Sequence, residues 1–327
     1  EIGQEYADKL RPAVNKKDAE TLQEQTAEAE AVYTRTGRTP INGFPDVREL
    51  VGRMHAALFL SARELLAVAA AMRASREAKD VLQSGEAEGI LCNMANRLTS
   101  HRSAEEEIAR CIPAEDEISD NASSELSRIR RQMKIVNERV REKLNGMLRS
   151  TTTQKYLQES IITIRNGRYA LPVKAEYRSQ VPGLVHDQSS SGATLFVEPS
   201  AVVELGNEYK RLLAEEKNEI ERILSGLTAM ISPFADEIHN SICMMGTLDV
   251  IFARAIMARD QRAVRPKLND EGRIRILKGR HPLIPRENVV PVDIWLGETF
   301  RTLIITGPNT GGKTVTLKTV GLFTLMA

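Results

Sequence analysis

The sequence predicts a mainly α-helical chain that carries a small β-module and then enters an α/β domain. Charged residues make up 27% of the 327 residues and aromatic residues only 4%, which is typical of long, solvated helices rather than of aromatic-rich sandwiches or barrels. Apolar residues recur at helical spacing over most of the chain, and strand-like patterns interrupt them twice. Because the chain exceeds one ordinary domain in length, we expect two or three compact units.

The helical part of the prediction depends on apolar spacing. Residues 125–149 place apolar side chains at steps of three and four, which predicts an amphipathic helix with a narrow, coiled-coil-like seam. The same spacing predicts helical structure over residues 46–79 and two long helices further on, around residues 205–227 and 238–255.

The β-module is predicted from a change of period. Alternating apolar residues flank Asn166-Gly167, and both residues tolerate positive φ in a type I′ turn, so we expect a β-hairpin. Residues 187–194 are polar and are expected to form an exposed loop that leads into a short strand ended by Pro199. Between residues 266 and 306, four prolines and three short apolar runs, the last of them residues 301–306, predict the strands of a new domain.

A phosphate-binding motif follows that last run. The sequence GPNTGGKT fits the pattern GxxxxGK[ST], and an apolar strand precedes it while a helical stretch follows. Bare glycine backbone and the positive end of a helix suit a polyphosphate. Lys313 is predicted to reach the β- and γ-phosphates of ATP, and the Thr314 hydroxyl to bind Mg²⁺. The predicted ATP-binding residues here are Gly307, Pro308, Asn309, Thr310, Gly311, Gly312, Lys313, Thr314 and Val315.

A basic segment is concealed by the overall charge of +1. Residues 125–180 hold 13 Lys and Arg against five Asp and Glu, a local net charge of +8. Such a segment favours contact with nucleic-acid phosphates without reading sequence. The predicted contact residues are Arg128, Arg131, Lys155, Arg165, Arg168, Lys174 and Arg178.

Other residues are interpreted as structural. Cys92, Cys111 and Cys243 are far apart and lack metal-type spacing, which predicts core positions in a reducing cytoplasm. His186 lies in a polar stretch without nucleophile-elbow spacing, so we expect local hydrogen bonds rather than catalysis. His281 is expected to be a structural residue at a strand end. No run of 18 apolar residues predicts a membrane span.

Three sequence blocks, at residues 156–199, 279–298 and 303–322, together resemble the MutS family, in the second bacterial subgroup whose members end in a small MutS-related (Smr) nuclease domain. The resemblance implies an ATPase that acts as a homodimer and binds branched or duplex DNA, suppresses recombination or splits collided ribosomes through rRNA. It also implies an adenine platform at Val289 and Val290, where aliphatic packing replaces an aromatic ring. The resemblance does not imply mismatch recognition, because the mismatch-reading domain has no counterpart here.

The resemblance also implies a division into four parts. Residues 1–124 would form the first part of a helical core or lever, 125–226 a clamp arm with a hairpin tip, 227–264 the returning lever, and 265–327 the start of a P-loop ATPase domain. The chain begins without Met and ends within a predicted helix, so we expect a piece of a longer protein. The acidic residue for hydrolysis, the signature segment and the nuclease domain are expected beyond residue 327, which leaves these residues inactive by themselves.

Two alternatives to a DNA clamp stay open at this stage. A coiled-coil chromosome ATPase of the SMC or Rad50 type also joins a P-loop to long helices, but there the P-loop precedes the coiled coil. A ribosome-directed splitting ATPase would use the same fold on rRNA, and the residues do not distinguish it from a DNA clamp.

Overall fold

The computed structural model describes residues 2–56, 58–84, 89–307 and 312–327. The chain divides into two compact units, which we call unit 1 and unit 2. Unit 1 comprises Glu1–Gly52, Ala67–Glu105 and Phe234–Ala327, and unit 2 comprises Arg53–Leu66 and Glu106–Pro233. The four-part division expected from the sequence stays a prediction.

Helices account for most of the described residues, as predicted. The first six are α1 (Ile2–Asp8), α2 (Lys16–Thr36), α3 (Arg48–His55), α4 (Ala62–Gln83), α5 (Ile90–Asn96) and α6 (Arg102–Cys111). The later helices are α7 (Ser124–Arg149), α8 (Thr151–Tyr156), α9 (Ser200–Ile231), α10 (Ala235–Gln261) and α11 (Lys313–Met326). The helix predicted over residues 125–149 is confirmed as α7, and the two later predictions are confirmed as α9 and α10.

The helical structure predicted over residues 46–79 is confirmed, and it is divided into two helices because the chain leaves helical geometry between α3 and α4. Ser61 causes a new start: its hydroxyl accepts from the Glu64 backbone N–H at 3.4 Å, while the Glu64 carboxylate accepts from the Ser61 N–H at 2.8 Å. This reciprocal pair is a capping box, which satisfies two N–H groups at the beginning of α4. The spacing of Ser61 and Glu64 in the sequence indicates that a helix begins there, whereas the apolar spacing does not show the break.

Unit 2 is built on α7 and α9, whose apolar stripes pack together around Ile129, Val136 and Leu212. Polar contacts add to this seam. The Ser123 hydroxyl, which caps α7, donates to Glu219 on α9 at 2.6 Å. Arg222 lies 2.7 Å from the same carboxylate, and its hydrogen bonds hold the pKa of Glu219 below its ordinary value. Apolar packing thus joins the two helices, and the hydrogen bond from Ser123 to Glu219 adds a polar contact between them.

The β-module of unit 2 is a four-stranded antiparallel sheet with strand order β1-β2-β4-β3. Its strands are β1 (Thr163–Arg165), β2 (Arg168–Lys174), β3 (Gly183–Gln188) and β4 (Thr194–Pro199). The predicted hairpin is confirmed: Asn166 and Gly167 have φ of 52° and 69°, as a type I′ turn requires. The predicted strand ended by Pro199 is β4.

The loop predicted over residues 187–194 is shorter than expected. Asp187 and Gln188 belong to β3 and pair with β4 after a register shift that follows Val185. Polar composition concealed this strand, because one face of it lies towards solvent and only alternate side chains need to be apolar. A core of Val140 and Leu144 from α7 packs under the sheet with Leu171, Val173 and Val197.

Unit 1 has its core where α2, α5 and α10 meet, around Leu91, Leu248 and Phe252. Two strands, β5 (Ile274–Gly279) and β6 (Val292–Leu296), pair antiparallel and match two of the predicted runs. The third, at residues 301–306, is not a strand in the structure, and Ile304 is 80% exposed. A strand of a parallel sheet needs hydrogen-bonded neighbours on both sides, and the described residues supply none beside this run.

One continuous helical stretch, Ser200–Gln261, is long and apolar enough to qualify as a membrane span by length and composition. Half of its most apolar window is buried within the chain, and its side chains Leu212, Ile231 and Phe252 are nearly inaccessible to solvent. Buried core helices commonly have this composition.

Candidate nucleotide site and nucleic-acid surface

The candidate nucleotide site is the turn that precedes α11. Gly307 has a φ of 140° and Gly312 a φ of 80°, a region that side chains other than hydrogen rarely adopt. Within the described part of the chain, and apart from each glycine's own neighbours, no heavy atom lies within 4 Å of the place that a Cβ would take at Gly307 or Gly312. The centre of the predicted motif, Pro308, Asn309, Thr310 and Gly311, lies outside the described residues.

Helix α11 begins directly after Gly312, at Lys313. The Lys313 ammonium donates a hydrogen bond to the backbone carbonyl of Gly307, so the side chain reaches back over the turn. Thr314 and Val315 are exposed in the first turn of the helix, where N–H groups have no acceptor within the helix. The positive helix end, the ammonium and a hydroxyl therefore lie side by side.

The predicted adenine platform lies in a turn between β5 and β6. Val289 is half-buried and its N–H donates to the Pro285 carbonyl at 3.0 Å, whereas Val290 is 77% exposed. These side chains present aliphatic surface and no aromatic ring.

Four of the seven predicted nucleic-acid contacts keep their charge near solvent. Arg131 and Lys155 are exposed and have no ion pair within the part of the chain that the structure describes. The Lys174 ammonium lies 5.9 Å from the centre of the Tyr177 ring. Arg165 stacks on a phenylalanine ring and contacts an aspartate.

The other three predicted contacts have intramolecular partners. Arg128 pairs with Glu125 on its own helix at 2.6 Å. Arg178 donates to the backbone carbonyls of Val181 at 2.9 Å and Gly183 at 2.6 Å, which holds the segment before β3 in place. Arg168 has a side chain only 14% exposed and pairs with a carboxylate inside the β-module. Arg168 and Arg178 thus have a clear structural role.

The structure places Arg131 in a stripe on α7 with three basic residues that were not among the predicted contacts. Steps of three, seven and eight residues place four exposed side chains on the helix face turned away from the core. The members of this stripe, the α7 stripe, are Arg131, Lys134, Arg141 and Arg149. The helical spacing of these basic residues in the sequence indicates that they share one face of α7.

A buried charge network inside the β-module was also missed. Glu198 on β4 is 1% exposed. Its carboxylate lies 3.3 Å from the Arg168 guanidinium and 2.6 Å from Nε2 of His186. Arg168 also donates to the Asn207 side chain at 2.7 Å. A Cβ at Gly206 would lie 2.4 Å from the carboxylate, so a glycine on α9 makes room for it. His186 therefore hydrogen-bonds across the sheet to β4, and it lies in a strand rather than in a loop with local hydrogen bonds.

Metal and thiol chemistry have little support in these residues. Among the described residues, no group of three or more His, Cys, Asp and Glu side chains could hold a metal ion. Cys111 is buried and the other two cysteines are half-buried, and burial raises the pKa of the Cys111 thiol. A raised pKa lowers the thiolate fraction, so this thiol is a poor nucleophile.

Comparison with known proteins places these features in a class. No family model matches the chain. The chain is 46% identical to the endonuclease MutS2 of Alkaliphilus metalliredigens over 329 residues, and 46% identical to that of Acetivibrio thermocellus over 330 residues. The alignments cover 100% and 99% of this chain, and 42% of each relative. The endonuclease MutS2 of a Geobacillus species is 45% identical over 330 residues.

Long helices, a small antiparallel β-module and a positive-φ glycine directly before α11 define a mainly helical class of protein with a small β-module. The similarity to MutS2 runs through the whole chain, β-module and turn included. The chain belongs to the MutS family, in its second, MutS2 subgroup. It spans about 42% of the length of the curated relatives that it matches.

Proposed function

We propose that this chain is the part of an ATP-dependent clamp that binds Mg-ATP at the turn before α11 and holds nucleic acid along unit 2. The observation that carries the proposal is the geometry of the turn: Gly307 and Gly312 both have positive φ, and Lys313 reaches back across them. A polyphosphate needs bare, inward-pointing amides and a positive helix end.

The residues of the turn fit Mg-ATP. Lys313 would exchange its hydrogen bond with the Gly307 carbonyl for the β- and γ-phosphates, and Thr314 would bind Mg²⁺ through its hydroxyl. Mg-ATP would supply the charge and the binding energy for a conformational switch. The described residues of the motif would bind and orient the nucleotide. The aliphatic side chains of Val289 and Val290 would pack on the base.

The nucleic-acid part of the proposal is supported by charge. The α7 stripe places four cations on one helix face, and Lys155, Arg165 and Lys174 extend the positive surface onto the β-module. Contacts of this kind neutralise phosphates without reading bases. They suit duplex or branched DNA held in the arms of a homodimer.

The finer roles belong to the longer protein. The relatives are named endonucleases. We propose that ATP hydrolysis and nuclease activity depend on other segments of the longer protein. We also propose that the protein acts in the cytoplasm. Suppression of recombination would follow from binding branched DNA. Ribosome splitting through rRNA is the second candidate, because phosphate contacts do not discriminate between the two nucleic acids.

The nucleotide site is tested by calorimetry with Mg-ATP on Lys313→Ala and on Lys318→Ala, a matched control on the same helix. We expect Lys313→Ala to abolish measurable binding and Lys318→Ala to leave it unchanged, since Lys318 lies more than one turn further along. Equal affinity in the two variants would reject the assigned role.

The nucleic-acid surface is tested by the salt dependence of binding to a labelled four-way junction. Removing a phosphate contact reduces the salt slope by about one, so the double variant Arg131→Gln, Lys134→Gln should reduce it by about two. Lys267→Gln, an exposed lysine of unit 1, is the control. An unaltered slope in the double variant would place the contact elsewhere, and competition by intact ribosomes at equal phosphate concentration would favour the second candidate.

A further inference from the structure

The scarce aromatic residues of the chain are not evenly placed. The chain has seven Phe, six Tyr and one Trp. Three of them gather on one surface of the β-module and its flanking segments, and all three are half-buried, so part of each ring faces solvent. We call this surface the aromatic patch. Its members are Tyr156, Lys174, Tyr177, Phe196 and Arg165.

The patch consists of two groups of contacts, which are related through the register of β2 and β4. The rings of Tyr156 and Tyr177 lie with their centres 5.3 Å apart, and the Lys174 ammonium lies over Tyr177 at 5.9 Å. Lys174 and Phe196 point to the same face of the sheet, because Phe196 pairs with Pro172, two residues before Lys174 on β2. The guanidinium of Arg165 lies 4.2 Å over the Phe196 ring.

The hairpin is held so that Arg165 presents its plane. Asp187 contacts the Arg165 guanidinium at 3.4 Å, and the side-chain amide of Asn166 donates to the His186 carbonyl at 3.0 Å. The guanidinium is thus fixed on one side by a ring, while the Arg165 side chain remains 41% exposed. A planar cation stacked on an aromatic ring offers its second face to another planar group.

Alternating rings and cations are the features that bind unpaired nucleobases. Bases stack on aromatic rings and on guanidinium planes, and neighbouring cations follow the backbone. An intact duplex hides its base faces and can use only the charges. From the patch we infer that the β-module binds a single-stranded segment of nucleic acid by stacking its unpaired bases. This inference rests on the proposed nucleic-acid function and specifies its substrate.

The test measures fluorescence anisotropy with a labelled twelve-nucleotide strand of thymidine, the same length of uridine, and a matched duplex, all at one salt concentration. We expect both single strands to bind more tightly than the duplex. Tyr177→Leu keeps the charge and apolar character and should weaken single-strand binding roughly tenfold, with little effect on the duplex. Phe59→Leu, an exposed aromatic of unit 2 outside the patch, is the matched control.

A second readout needs no variant. An oligonucleotide that contains 2-aminopurine loses fluorescence when its base stacks, so binding to the unmodified chain should quench it. Equal affinity for duplex and single strands, or binding without quenching, would overturn the inference and leave the proposed clamp intact. Absence of binding to every nucleic acid would instead reject the proposed function. A difference between the thymidine and uridine strands would show which nucleic acid the patch prefers.

Discussion

Glu198→Ala is the substitution that the structure makes most informative. The Glu198 carboxylate is 1% exposed and is shared by Arg168 and His186. Removing one partner of a buried ion pair costs about 3–5 kcal/mol, because it leaves an uncompensated buried charge. Since the Arg168 and His186 side chains keep 14% and 20% of their surface in contact with solvent, water can compensate in part. We therefore expect the lower value, about 3 kcal/mol.

Because two units are present, global unfolding is not a two-state measurement, and amide hydrogen exchange read by mass spectrometry is the better assay. A loss of about 3 kcal/mol corresponds to roughly 100-fold faster exchange in peptides of β2 and β4. Glu198→Gln, which keeps the shape and one acceptor, should lose about 1–2 kcal/mol. Glu204→Ala, an exposed glutamate on α9, is the control. Exchange in β4 within threefold of the unmodified chain would refute the reasoning, as would equal acceleration in unit 1.

Three further substitutions test other elements. Gly167→Ala forces a side chain into a φ of 69° and should destabilise the hairpin by about 1 kcal/mol, seen as faster amide exchange in β1. Thr228→Val removes the hydroxyl that accepts the buried Leu60 N–H at 3.0 Å, and we expect a loss of about 1–3 kcal/mol, seen as faster amide exchange in the peptides that contain Leu60. Hydrogen bonds from Arg222 lower the pKa of Glu219 from its ordinary 4.5, so its stabilisation is present above pH 4.5 and is lost as pH falls through the lower folded pKa. Glu219→Gln should be less stable than the unmodified chain at pH 7, and that difference should disappear in acid. Equal pH dependence in the two proteins would contradict this assignment.

The elements predicted correctly from the sequence are those whose cause is local. The stripe of α7 needs only its own apolar spacing, and the turn at Asn166-Gly167 needs only two residues that tolerate positive φ. The break before α4 was also local, since Ser61 and Glu64 form its capping box. Periodicity was given too much weight there, because alanine-rich sequence continues the helical pattern through the break.

The parts that could not be predicted depend on contacts between residues far apart in sequence. Nothing near His186 in the chain indicates that its partner is Glu198, because the two meet only when β3 pairs with β4. The same holds for Arg168. Its charge is included in the net charge of the basic segment, but its guanidinium donates hydrogen bonds to Glu198 and Asn207. A count of charges gives the net field of a segment, whereas the availability of each charge depends on its partners in the fold.

The run at residues 301–306 has the sequence of a strand but does not form one. Its apolar β-branched residues and the glycine motif after it are the sequence of a buried parallel strand, yet Leu303, Ile304 and Ile305 are 45%, 80% and 40% exposed. A buried parallel strand gains its stability from hydrogen bonds and packing on both sides, so its propensity is expressed only beside neighbouring strands. Local propensity and tertiary partners therefore give different answers for the same six residues. Gly307 and Gly312 have positive φ values without such neighbours, because a residue that lacks a Cβ has no steric cost in that region.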